Sequence, residues 1–209
     1  MIGNFILKVV FGAVVPLLSL MAFWWSAVLI GAGDSIILLS TVSGLIAGLV
    51  IEYFIVRKGK FSIYKLRTST LILIYVFYSI CFFGFFMGVP VFNLVFGPVA
   101  GYYWARKLVN NNPDKVVLRE EKTKVSVFTA LIMGLICLLS AYFAFTDVHT
   151  AANLKGMFNL SFEVSNGMLI GVSIAGGAIF FVSQYFLTDV AFEKTYRNLL
   201  NLSKTTNSK

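Results

Sequence analysis

Residues 70 to 105 run for 36 positions without a charged side chain. A single helix of that length would measure about 54 Å, far more than a hydrocarbon core of about 30 Å. The run must therefore fold back on itself. Its middle reads GVPVFNLVFGP, in which Gly88, Pro90, Gly97 and Pro98 oppose a continuous helix and Asn93 is the one polar side chain. Two short spans, 70 to 88 and about 92 to 106, satisfy both the length and the breakers.

Four more apolar runs, 5 to 31, 35 to 56, 125 to 146 and 167 to 188, are each near one membrane thickness. Hydrophobic residues make up 58% of the chain and charged residues 12%, against about 45 to 50% and about 25% in soluble domains. A water-soluble globule is thereby excluded. The predicted fold is all-α: a polytopic membrane protein of six transmembrane helices arranged as three antiparallel hairpins over residues 1 to 190. An amphipathic cytoplasmic tail, 191 to 209, follows, with Phe192, Tyr196, Leu199 and Leu200 at helical spacing against Glu193, Lys194, Arg197 and Asn198. The outer connection alternates polar and apolar residues around Phe158 to Ser165, which predicts a short strand or an edge lying on the membrane surface.

Charge sets the orientation. With six spans and both termini in the cytoplasm, 16 of the 17 Lys and Arg residues fall inside and only Lys155 outside. A five-span arrangement would put either 57 to 67 or 106 to 124 outside and destroy that bias. The formal charge of +8 thus reads mainly as topology in a cytoplasmic (inner) membrane, with attraction to anionic headgroups second. The lipid bilayer is the expected partner, with a second copy or another membrane protein left open, and no nucleic acid.

Small residues recur at positions that let helix backbones approach: Gly44 and Gly48, Gly97 and Gly101, Gly167 and Gly171, with Gly176 in the same last span. Close contact is expected between Gly97 or Gly101 and the glycines of that span. Three ionisable residues lie within spans, Lys8, Glu52 and Asp189, all near the inner ends. Lys8 and Glu52 fall at similar depth on adjacent helices, which predicts an ion pair, or else a proton or cation site at Glu52. Midplane polarity otherwise reduces to Ser40, Thr41, Ser43, Ser79, Ser140 and Ser173.

Residues for catalysis are scarce. His149 is the one histidine and sits beside Asp147 in the outer connection, while Cys81 and Cys137 read as buried thiols. No metal or cofactor is expected, since zinc or haem spacing, a serine elbow and a Walker lysine are all lacking. Gly31, Ala32, Gly33 and Asp34 resemble the GxGD pattern of intramembrane aspartyl proteases, whose second carboxylate here would be Asp147. A hairpin turn with Asp34 capping the next helix explains the same residues, and no enzyme activity is expected. Two functions remain. One is a small transport module for an ion, a small solute or a lipid-like molecule, with Asn93, Pro90, Gly97 and Pro98 around the substrate. The alternative is a non-catalytic membrane subunit that binds or restrains another membrane protein, as an assembly, immunity or exclusion factor would.

Overall fold

A computed structural model of the chain describes residues 7, 9–58, 64, 66–86, 88–109, 115–157, 159 and 161–207, with side chains described at 7, 9–54, 64, 66–86, 88–109, 117–156, 159 and 161–201. Every regular element among them is helical. The chain divides into two compact units, Met1–Leu66 and Arg67–Lys209.

The first unit is a hairpin of α1 (Val14–Leu29) and α2 (Asp34–Lys58). Pro16 has no N–H to offer the carbonyl one turn earlier, and the helix from Val9 is interrupted at Ala13 before α1 begins. Gly31, at φ 68°, closes α1: its N–H bonds the Val28 carbonyl and that of Ala32 reaches back to Ala27. The carbonyl of Gly33 takes the first bonds of α2, so Asp34 is the first helical residue rather than the cap, where its charge still favours the helix N-terminus. The two helices pack closely and antiparallel. A Cβ added at Gly44 would lie 2.7 Å from Phe23 Cβ, and one at Gly48 2.5 Å from Pro16 Cα.

The second unit contains α3 (Thr68–Phe85), a 3-10 turn (Pro90–Val95), α4 (Phe96–Val109), α5 (Lys115–Thr146), α6 (Thr150–Met157) and α7 (Asn166–Asn207). The 36-residue run does fold back. Gly88, at φ 79°, donates its N–H to the Phe83 carbonyl at 2.7 Å. Pro90 then opens the 3-10 turn, where its fixed φ suits a first position. Phe96 returns to lie 6.2, 6.0 and 4.7 Å from the rings of Tyr75, Tyr78 and Phe82. Pro98 breaks nothing, because it sits in the first turn of α4, where N–H groups have no helical partner to lose.

Contacts fix the relative directions. α3 runs parallel to α5, with Tyr75 near Phe128 and Phe83 stacked on Phe143. α7 runs antiparallel to α5, with Gly134 against Phe181 and Lys122 against Asp189. α4 runs parallel to α7, with Gly97 beside Gln184 and Gly101 beside Phe192. Arg106, Lys107, Lys122 and Lys124 thereby gather at one end of the unit, with the fold-back near the other.

One expectation about the connections changes. The stretch from 147 to 166 holds α6, which Asp147 starts by accepting the His149 N–H at 2.9 Å and facing the Thr150 hydroxyl at 3.4 Å. No strand follows among the described residues, which form turns and bends there; Phe158 and Leu160 lie outside them. α7 passes residue 190 without a break, 42 residues or about 63 Å in all. Phe192, fully buried, joins Ala105 and Val125 in an apolar core with Trp104, Leu108, Leu118 and Tyr196 around it. The start of the tail therefore packs on α4 and α5.

Five helical stretches, Val9–Leu29, Asp34–Phe54, Thr68–Phe85, Val117–Thr146 and Asn166–Asn201, are long and apolar enough to cross a membrane. They suggest an integral, multi-pass membrane protein. α4, with 14 residues, is shorter than that length by itself.

Candidate functional site

The chemistry in the second unit lies along the seam where α7 meets α3, α4 and α5. α7 presents Gln184 and Thr188 four residues apart on one face, 1% and 0% exposed. α5 opposes them with Ser126 and Thr129, both fully buried. The two threonine hydroxyls meet at 2.8 Å. Thr188 also reaches the Gln184 carbonyl at 2.8 Å and Thr129 that of Ser126 at 3.1 Å.

Gln184 holds the broken segment. Oriented so that each atom meets a complementary group, its Oε1 accepts from the Tyr75 hydroxyl at 2.9 Å and the Gly97 N–H at 3.0 Å. Its Nε2 donates to the Leu94 carbonyl at 3.3 Å. Backbone groups freed by the interruption are thus satisfied from α7, as a membrane interior requires. Asn93, 3% exposed, acts on the other side by donating from Nδ2 to the Ser79 carbonyl at 3.0 Å. Ser140 donates to the Gly88 carbonyl at 2.8 Å. Two buried side-chain oxygens, Asn93 Oδ1 and Ser126 Oγ, have no hydrogen-bond partner.

The file ends in charge. Lys122 lies 3.0 Å from Asp189 and 3.5 Å from Glu193, and Glu193 accepts from Arg197 at 2.7 Å. Trp104 donates to Glu121 at 3.0 Å, and Lys107 lies 5.0 Å from the centre of the Trp104 ring. From Lys122 to Ser140 the polar groups follow α5 for about 27 Å, close to the thickness of a hydrocarbon core. The charged cluster is partly exposed, so Asp189→Asn is expected to cost under about 1 kcal/mol, because Lys122 keeps Glu193. A loss several times larger in chemical denaturation would mean that the pair is effectively buried.

The residues expected at the site are placed unevenly. Asn93, Pro90, Gly97 and Pro98 do lie together at the fold-back, but side chains fill the space beside Gly97. A Cβ there would lie 2.6 Å from Thr188 Oγ1 and 2.9 Å from the Gln184 side-chain amide. Gly97 and Gly101 approach α7 at Gln184, Thr188 and Phe192, not at Gly171 or Gly176, which have nothing within 4 Å. Gly167 meets only Ser165 Oγ, at 3.9 Å. Glu52 Oε1 lies 3.6 Å from the point where a Cβ on Gly12 would sit, while Lys8 falls outside the described residues. Asp147 serves the start of α6, and Asp34 belongs to the other unit. Cys81 and Cys137 form no disulfide, and no cluster of three metal-binding side chains occurs among the described residues.

Sequence reasoning missed Gln184, Thr188, Thr129 and Ser126. The signal was present: Gln184 and Thr188 stand one helical turn apart in an apolar run, and Ser126 and Thr129 are three apart in another. Polar side chains so placed in a span face the protein interior rather than lipid. Elsewhere, an apolar groove of about 680 Å³ runs between α5 and α7, bordered by Gly134, Cys137, Ala141, Ser173, Gly177 and Phe181. Comparison with known protein families, curated proteins and solved structures finds no match.

Proposed function

We propose that the chain is a transport module of six crossing segments, with both ends on the cytoplasmic side of an inner membrane, that passes a small solute or ion through its second unit. The observation that carries this reading is the polar file from Lys122 to Ser140, which is buried at Ser126, Thr129, Thr188, Gln184 and Asn93. Polar side chains are costly inside a bilayer and often mark pathways there. The glycine contacts keep the file closed, so passage requires α4 and α7 to part, and Gln184 then turns its amide from the broken segment to the passing solute. The residues invite no enzyme chemistry, and the reading includes neither cofactor nor metal.

The sixth crossing is α4 together with the turn before it. Their 14 and 6 residues extend about 21 Å and about 12 Å, enough jointly for a core of about 30 Å. The parallel course of α4 and α7 agrees with this, as does the 16-to-1 division of basic residues. Cysteine introduced at Asn153 should react with an impermeant maleimide added to intact cells, and cysteine at Asn110 should not. Labelling of the second site from outside would rule out the sixth crossing.

A second reading, a non-catalytic subunit bound to another membrane protein, is favoured by the apolar groove between α5 and α7. Flux assays in proteoliposomes separate the two. Protein-dependent flux that falls on Gln184→Leu supports transport. A stoichiometric partner recovered from native membranes, with no flux after reconstitution, supports the subunit.

A further inference from the structure

We propose that the species carried is a small, uncharged molecule with hydroxyl or amide groups; the inference rests on the transport reading and names its substrate class. Between Ser126 and Ser140 the file offers only hydroxyls and amides: Thr129, Thr188, Gln184, Tyr75, Asn93 and the two serines. An ion at that depth would find no counter-charge in a medium of low dielectric. A neutral hydrogen-bonding solute can instead exchange bond for bond with the groups that now bond one another.

A cation path built from carbonyl oxygens is the natural objection, because a broken helix exposes such oxygens. Here they are already engaged. Leu94 O accepts from Gln184, Ser79 O from Asn93 and Gly88 O from Ser140. The charged end is net basic, with Arg106, Lys107, Lys122, Lys124 and Arg197 against Glu121, Asp189 and Glu193, so it does not gather cations, and an anion that passed it would meet no cationic partner among the hydroxyls and amides beyond.

The two unpartnered oxygens fit the same class. Ser126 Oγ lies on the charged side of the threonine pair, and Asn93 Oδ1 lies on the other side of Gln184, each deeply buried. Both accept a hydrogen bond from an O–H or N–H donor without charge. They bracket the hydroxyl–amide set, as sites taken up and released in succession would.

The test uses the full chain in proteoliposomes, with glycerol and urea as probes, swelling followed by stopped-flow light scattering, and potassium, chloride and proton fluxes read by dyes in the same vesicles. Swelling faster than in protein-free vesicles, with no ionic flux, is the expected result. Thr188→Val should slow it by about fivefold, the rate equivalent of one hydrogen bond, while Thr188→Ser retains it. Should Thr188→Val fail to fold, Asn93→Leu provides the same comparison against Asn93→Gln. Ionic flux without solute flux overturns the neutral class and leaves the transport reading standing. Absence of both fluxes in well-folded vesicles overturns the transport reading and this inference with it.

Discussion

Gly101→Leu is expected to lower the melting temperature sharply, whereas Gly171→Leu is expected to leave it unchanged or raise it. A Cβ at Gly101 would lie 2.4 Å from the Thr188 carbonyl and 3.1 Å from the Phe192 N–H. Both are backbone atoms of α7, so they cannot swing aside as a side chain would. Overpacking of this kind costs about 1 to 3 kcal/mol, and more where helix axes must separate. Gly171 has nothing within 4 Å, so the gain of about 1 kcal/mol in helix propensity over glycine goes unopposed. Thermal melts of the detergent-purified variants make the comparison. Equal shifts at both positions would mean that α4 does not press on α7.

Gln184→Leu is expected to remove transport and to destabilise the second unit by about 2 kcal/mol. Three groups lose their partner at once, the Tyr75 hydroxyl, the Gly97 N–H and the Leu94 carbonyl. In a soluble core each orphan would cost about 1 to 3 kcal/mol, but hydrogen bonds between membrane helices average about 0.6 kcal/mol because the separated helices find other partners. The smaller figure applies here, and three such bonds set the estimate. Gln184→Glu sharpens the test. A neutral carboxyl there can accept from Tyr75 and Gly97 and donate to Leu94, whereas an ionised one cannot donate. The ionised form faces the Leu94 carbonyl with no proton to offer, so the variant is expected to be less stable at high pH than at low pH. A variant whose stability ignores pH would place position 184 in contact with water.

The return of the chain after Gly88 was legible because length alone forbids a straight helix, and the glycines and prolines mark where it must turn. The approach at Gly44 and Gly48 was legible for a related reason: two antiparallel helices joined by a four-residue turn must touch, and small residues at spacing four show where. The polar core was not. Gln184 and Thr188 vanish into an apolar run when it is read for hydropathy, since two polar groups barely change the mean of 22 residues. Their meaning depends on what faces them, and Tyr75 and Gly97 are about 100 residues away in sequence. The close contact of the last span was misplaced because glycine was sought on both helices, whereas glycines on α4 alone suffice against ordinary backbone on α7. α6 was missed because eight residues with one charge carry little periodic signal, and its start depends on Asp147 turning back onto its own backbone.

The bridge from Gln184 to the fold-back also bears on the order of manufacture. Ribosomal synthesis runs from the N-terminus, so α4 is made well before the helix that completes it. On the proposed sixth crossing, the Gly97 N–H and the Leu94 carbonyl would lie at membrane depth without the amide that satisfies them until α7 arrives, a costly state in lipid. The return segment must wait in a sheltered place, at the insertion machinery or close to the membrane surface, and reach its final depth last. Nascent chains halted before residue 184 should therefore hold α4 less deeply than chains halted after α7 has emerged.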